Sequence, residues 1–210
     1  MGDLPASLRR PPAGPHLRGQ LFQARFEYLR REHGPAMVRT VLEALEEPDR
    51  AALSGLEREG WYPLGTLLRL DRAIARLTAP EDDGIYERLG RASARHRTEW
   101  LGADARLYSV HGFLARAAED HGRFHSFGKA AYRRGGFTEG DIAFSAYPET
   151  DEAFCRASAG YLRAAVEFLT GGPAAVEERG CQCRGDAACH FWIRWGEQAK
   201  SHVPVSASRD

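Results

Sequence analysis

Residues 154–195 read FCRASAGYLRAAVEFLTGGPAAVEERGCQCRGDAACHFWIRW, and their patterning decides the architecture. Thr150 reads as the N-cap of a long helix with Asp151 and Glu152 in its first turn, where negative charge meets the free amide ends, and Gly171-Gly172 as its stop. Phe154, Ala157, Tyr161, Ala165 and Phe168 form the expected apolar face. Residues 174–183 and 189–195 then read as two strands around an Arg184-Gly185-Asp186 turn, the second alternating Phe191, Ile193 and Trp195 with Trp192 and Arg194. Upstream, residues 129–134 and 142–147 are short, aromatic-rich and separated by Gly135-Gly136, which predicts two further strands joined by a turn.

The residues before that module follow a helical period. Leu17, Leu21, Phe22, Phe26 and Leu29 recur at spacings of three to five up to His33-Gly34, and Pro35 opens a second helix using Val38, Val41, Leu42 and Leu45. A short helix follows Pro48, Gly60-Trp61-Tyr62-Pro63 breaks the pattern, and Leu64 to Leu77 resume it. Residues 84–101 and 105–120 complete a helical region. The expected fold class is α+β: an antiparallel four-stranded sheet packed with helices and preceded by a helical N-terminal region. The expected division is a disordered tail at 1–15, helices over 16–122, a strand-strand-helix-strand-strand module over 123–198 forming one composite domain with those helices, and a tail at 199–210.

The 210 residues are enough to bury roughly 70% of the unfolded surface without covalent staples. Apolar runs fall well short of the roughly 18 residues a membrane span requires, so none is expected. Lys+Arg and Asp+Glu number 29 each, and a chain of zero formal charge has no long-range field to gather nucleic acid. The first fifteen residues lack the apolar stretch of a secretory signal, and Ala6 stands where a myristoylation pattern wants Ser or Thr, so a cytoplasmic location is expected.

All four cysteines, Cys155, Cys181, Cys183 and Cys189, fall in the last quarter of the chain. In a reducing compartment that clustering points to a metal before disulfides, although buried thiols also serve as small core residues. Zinc takes thiolate, imidazole and carboxylate ligands in a tetrahedron. Glu178-x2-Cys181-x7-Cys189 on the hairpin, with Cys155 near the start of the long helix, offers such a set. Cys183 is the alternative fourth ligand, because Cys181 and Cys183 at i and i+2 share a strand face. Glu178 and Cys181 would fall on opposite faces of a regular strand, so a Glu178 ligand needs a bulge, for which Gly180 is the candidate.

These landmarks, Cys155, Gly160-Tyr161, Glu178, Cys181, Gly185 and Cys189, resemble the vinyl-4-reductase-type domain of the sensor regions of phenol- and xylene-responsive bacterial activators. The resemblance covers about the last 45 residues well and the rest by order of elements. It implies a structural zinc on Cys155, Glu178, Cys181 and Cys189, a homodimer, and a fold related to Bet3-type subunits of the transport-protein-particle tether and, distantly, to haem-based nitric-oxide sensors. The Tyr-x-Ser-x-Arg pattern with which haem sensors grip the propionates is absent, so haem is not expected. Neither a Gly-x4-Gly-Lys-Ser/Thr phosphate loop nor a DNA-binding module is recognisable, so the expectation is a sensor without its motor.

In the aromatic-sensing relatives the middle region lines a closed pocket in which a histidine and a tryptophan hold a phenol hydroxyl. Here the stretch from Trp100 to Tyr132 is dense in aromatics, and His96, Trp100, Tyr108, His111, Phe113 and Tyr132 are the candidate pocket residues, with core packing as the alternative. Cys155 with His121 or His125 comes nearest to a nucleophile and base, but a thiolate committed to zinc is a poor nucleophile, so no catalytic residue is assigned. The expected function is a non-enzymatic, zinc-stabilised regulatory domain sensing a small hydrophobic ligand or binding a protein partner. The alternatives are a dimerisation and interaction module of the tether-subunit type, or an enzyme acting on a hydrophobic or tetrapyrrole substrate.

Overall fold

A computed structural model of the chain describes residues 10–102, 108–148 and 151–196. Much of the expected tails (1–9 and 197–210), the start of the helix expected from residue 105, and Thr150 lie outside these residues. The helical region runs β1 (His16–Arg18), α1 (Gly19–His33), α2 (Pro35–Glu43), α3 (Glu47–Ser54), β2 (Trp61–Pro63), α4 (Leu64–Thr78), α5 (Ile85–Leu101), α6 (Val110–Glu119) and α7 (His121–Phe124). The module that follows is β3 (Lys129–Arg134), β4 (Glu139–Ser145), α8 (Glu152–Thr170), β5 (Ala174–Gly180) and β6 (Ala188–Trp195). Its four strands form one antiparallel sheet in the order β3-β4-β6-β5, as expected. Among the described residues, no helix is long and apolar enough to cross a membrane.

Several boundaries differ, each for a local reason. The first helix begins at Gly19, because His16–Arg18 pairs antiparallel with Trp61–Pro63. Leu17 is fully buried there, the Arg18 guanidinium lies 3.9 Å from the Trp61 ring centre, and a Cβ on Gly19 would meet the Glu57 carbonyl at 2.0 Å. Pairing in the β3–β4 hairpin starts at Glu139 instead of Ile142, since the amides of Gly135 and Gly136 both donate to the Glu139 carbonyl and close the turn. Asp151 caps α8, its Oδ1 accepting from the Ala153 amide at 2.8 Å, and Gly171 ends it at φ +69°. β5 stops at Gly180, where its register with β6 slips, and Gln182–Arg184 form a 3-10 turn.

Two cores meet where α5 and α8 cross. Leu17, Phe22, Leu29, Leu67, Leu70, Ile74 and Leu89 fill the first, under α1, α4 and α5. Ile142, Leu162, Val166, Phe191 and Ile193 fill the second, between α8 and the sheet. Glycines let the two helices touch: a Cβ on Gly90 would lie 1.8 Å from the Ala157 carbonyl, and one on Gly160 would lie 2.1 Å from the Glu87 carbonyl. Ion pairs from Arg156 to Asp83, Arg163 to Glu87 and Glu167 to Arg91 advance together along both helices, which therefore run the same way. Packed on two sides, α8 buries more than the single expected face. Cys155, Leu162 and Val166 turn to the sheet, Phe154 and Tyr161 are half-buried, and Phe168 is 37% exposed.

Beneath α1, Arg25 and Asp71 form a bidentate pair (Nε–Oδ1 and Nη2–Oδ2, each 2.9 Å), nearly sealed from solvent. The remaining Arg25 nitrogen donates to Ser93 Oγ and to the Leu89 carbonyl, so one buried group ties α1 to α4 and α5.

Candidate functional site

The cap at Asp151 sets the phase of α8 so that Cys155 faces the hairpin. On β6, alternation turns Cys189 inward together with Phe191, Ile193 and Trp195. On β5 the inward residues are Val176, Glu178 and Gly180, and the register slip at Gly180 turns Cys181 inward as well. The result is a cluster in which Cys155 Sγ lies 3.6 Å from Cys181 Sγ and 3.5 Å from Cys189 Sγ, with a Glu178 carboxylate oxygen completing a set within 4.8 Å. Thiolates about 2.3 Å from a zinc ion stand about 3.8 Å apart in a tetrahedron, which these spacings approach.

Glu178 carries the sharpest sign of a cation. Its Oε2 accepts from Arg184 Nη1 at 3.2 Å, while Oε1 is buried with no hydrogen-bond partner among the described residues. The loop supports the thiols: the Gln182 amide donates to Cys189 Sγ at 3.4 Å, and Asp186 Oδ2 holds the Cys181 amide at 2.7 Å. Burial and the neighbouring thiols push Cys155 well up, and burial pushes Cys189 up, so without a cation these two stay protonated. A divalent ion binding here would release those protons. Cys183 lies on the 3-10 turn, half-buried and outside the cluster.

A cavity of about 160 Å³ lies next to this cluster. From α8, residues at positions i, i+3, i+4, i+7 and i+8 line it: Phe154, Ala157, Ser158, Tyr161 and Leu162. From α5 come Ser93, His96 and Arg97, from β4 Ile142 and Phe144, and from the flanking segments His121, Phe124, His125 and Tyr147. Both serines donate to their own helix, Ser93 to the Leu89 carbonyl and Ser158 to the Phe154 carbonyl, so neither is set up as a nucleophile. The rings of His121 and His125 stack with centres 4.2 Å apart. His121 Nε2 donates to the Phe127 carbonyl at 3.2 Å and His125 Nδ1 to the His121 carbonyl at 3.3 Å, leaving one acceptor nitrogen on each neutral ring. Burial lowers both, His125 to about 3, so the pair is uncharged at neutral pH. The hydroxyls of Tyr147 and Tyr161 have no hydrogen-bond partner among the described residues, and burial holds both phenols above their ordinary range.

Of the six candidate pocket residues, His96 lines this cavity. Phe113 is buried in the core against the sheet. His111 Nδ1 accepts from the Tyr132 hydroxyl at 2.5 Å, its Nε2 donates to the Phe137 carbonyl at 2.9 Å, and its ring packs on Trp195, which makes it a structural group with its bonds filled. Trp100 is 62% exposed beneath Arg58, and Tyr108 is exposed. Tyr147, Phe154 and Tyr161 belong to the wall instead. The signal that could have found two of them is their i, i+7 spacing on the long helix.

The fold is that of H-NOX proteins. An H-NOX protein from S. oneidensis in the Fe(II)NO ligation state superposes with a TM-score of 0.69 at 12% identity, covering 86% of this chain and 100% of that one. Fe(II) unliganded H-NOX from K. algicida gives 0.65 at 12% identity, over 86% and 97%. A third structure, described as probing heme distortion in the H-NOX family, gives 0.66 at 14% identity, over 87% and 97%. The cavity does not fit a haem. Its volume is close to the ~150 Å³ that holds a benzene molecule and far below the ~300–1,000 Å³ of pockets for drug-sized ligands. No curated protein matches the sequence. The family model of the vinyl-4-reductase domain matches residues 137–194, from the β3–β4 turn through the cysteine hairpin. With the strand order, the capped helix and the clustered cysteines in place, residues 137–194 of this chain are a vinyl-4-reductase domain.

Proposed function

We propose that this chain is a small-molecule-sensing domain in which a zinc ion on Cys155, Glu178, Cys181 and Cys189 fixes one wall of a cavity for a single-ring ligand. The observation that carries this reading is the shared wall. Phe154 lines the cavity and precedes Cys155, while Phe144 lines it from β4 directly opposite Cys189 on β6. The ion would close the start of α8 onto the β5–β6 hairpin and so set where both phenylalanines stand. Its role is structural: four protein ligands leave no open coordination position for chemistry. Binding, without catalysis, is the role that the helix-bonded serines and the neutral histidine pair support.

Native mass spectrometry of the protein prepared without chelator tests the reading, because one spectrum reports metal, retained small molecule and the homodimer implied by the resemblance. One zinc per chain and a thermal shift with a single-ring probe are expected. Metal well below one equivalent, or no shift with any ring-sized probe, would overturn it.

A further inference from the structure

The charges around the cavity are unbalanced. Its wall holds two guanidinium groups and, among the described residues, no carboxylate. Arg25 is neutralised in place by Asp71. Arg97 has no acidic partner among the described residues, and its Nε–H is buried without an acceptor. Its guanidinium carbon stands 4.8 Å from the Phe124 ring centre, a contact that leaves its hydrogen-bond donors unused. Arg58 adds positive charge close by: burial, and then the Arg97 charge, hold it below its ordinary range although Glu59 lies 3.6 Å away. Across the cavity on α8, the Tyr161 hydroxyl has no partner among the described residues, and Arg97 is the charge that acts on it.

A buried, charged donor without an acceptor is among the costlier arrangements in a folded protein. A neutral guest would leave that charge uncompensated, and a cation would add to it. A guest with one negative charge would satisfy the Arg97 donor in a water-poor setting where charge-assisted bonds are strong. The volume admits one ring, and Phe144, Phe154 and Tyr147 supply its apolar surroundings.

Building on the single-ring reading above, we infer that the cavity takes a monoanionic cyclic carboxylate, with the ring among the phenylalanines and the carboxylate on Arg97 and the Tyr161 hydroxyl. Isothermal titration of the zinc-loaded full chain with benzoate, benzyl alcohol and benzylamine tests this. Benzoate should bind ~10-fold or more tightly than benzyl alcohol, the margin of a charge-assisted bond, and benzylamine should be weakest. Arg97→Met should remove the preference, weakening benzoate by ~10-fold or more while leaving benzyl alcohol within about twofold. Benzyl alcohol binding as well as benzoate, or a preference that survives in R97M, would overturn the carboxylate assignment and leave the ring-sized cavity standing. No binding of any probe would overturn the cavity reading beneath it. If R97M does not fold, the order of the three probes on the wild-type chain decides.

Discussion

Glu178 sits two residues before the slip in β5, one oxygen on Arg184 and the other buried without a partner among the described residues. An unsatisfied buried acceptor costs about 1–3 kcal/mol, which a zinc–oxygen bond would offset. Glu178→Ala should therefore lower zinc affinity by at least ~10-fold, the lower end of what even outer-shell changes produce, while Cys183→Ser should leave one zinc per chain. Zinc retained after dialysis against a graded chelator measures both, and the reverse pattern would show an all-thiolate site. Strand parity was enough to require a bulge and to name Gly180. It failed for Cys183, because the chain leaves the strand at Gly180 and alternation no longer applies. His125 carries a second prediction. Its folded value near 3 lies below the ordinary 6.5, so its contribution is full above about pH 6.5 and is lost as pH falls toward 3. One proton changes stability by up to about 1.4 kcal/mol per pH unit. Urea midpoints at pH 7 and pH 5 should fall further apart for the wild type than for His125→Gln, by about 2 kcal/mol in stability. Equal pH sensitivity in the two proteins would refute the neutral pair.

At the scale of elements, the contact between α5 and α8 decides how the helical region meets the sheet. Replacing a helical glycine by alanine ordinarily stabilises a helix by about 1 kcal/mol. At Gly160 the added Cβ would lie 2.1 Å from the Glu87 carbonyl, a backbone atom that cannot rotate away. Overpacking of this kind costs about 1–3 kcal/mol, so Gly160→Ala should destabilise on balance, visible as a lower urea midpoint. A raised midpoint would mean that the helices are free to separate. Most elements were legible in the sequence, because caps, prolines and glycine pairs are local signals and the α8 and β6 patterns are strong. The β1–β2 pair was not, since three-residue strands 45 residues apart carry no local period and Leu17 fits a helical repeat equally well. The pocket wall was legible only in part. Aromatic density between Trp100 and Tyr132 marks a region, but which way each ring turns depends on packing, and His111 and Phe113 turn toward the sheet while His121, Phe124 and His125 meet the cavity.

At the scale of the whole molecule, the thiolate cluster and the cavity are two ends of one arrangement. Phe144, Tyr147, Phe154 and Ser158 border the cavity and also the small gap that contains Cys155 and Cys189, so a change at either end reaches the other through side chains already in contact. Binding at two sites that share a structural unit is coupled, and the coupling is reciprocal: if zinc organises the wall for a ring, the ring must hold zinc more tightly by the same factor, typically 5–150-fold. A ligand at a hundred times its Kd should raise stability by about 2.7 kcal/mol, so the effect is large enough to resolve by thermal melting. Stripping the metal should lower the melting temperature and weaken binding of a ring-sized probe such as benzoate or benzyl alcohol. In the opposite direction, saturating probe should slow the transfer of zinc to a chromogenic chelator. If the stripped protein kept both its melting temperature and its affinity, the metal and the cavity would be independent, and the cysteine hairpin would serve the fold without serving the sensor.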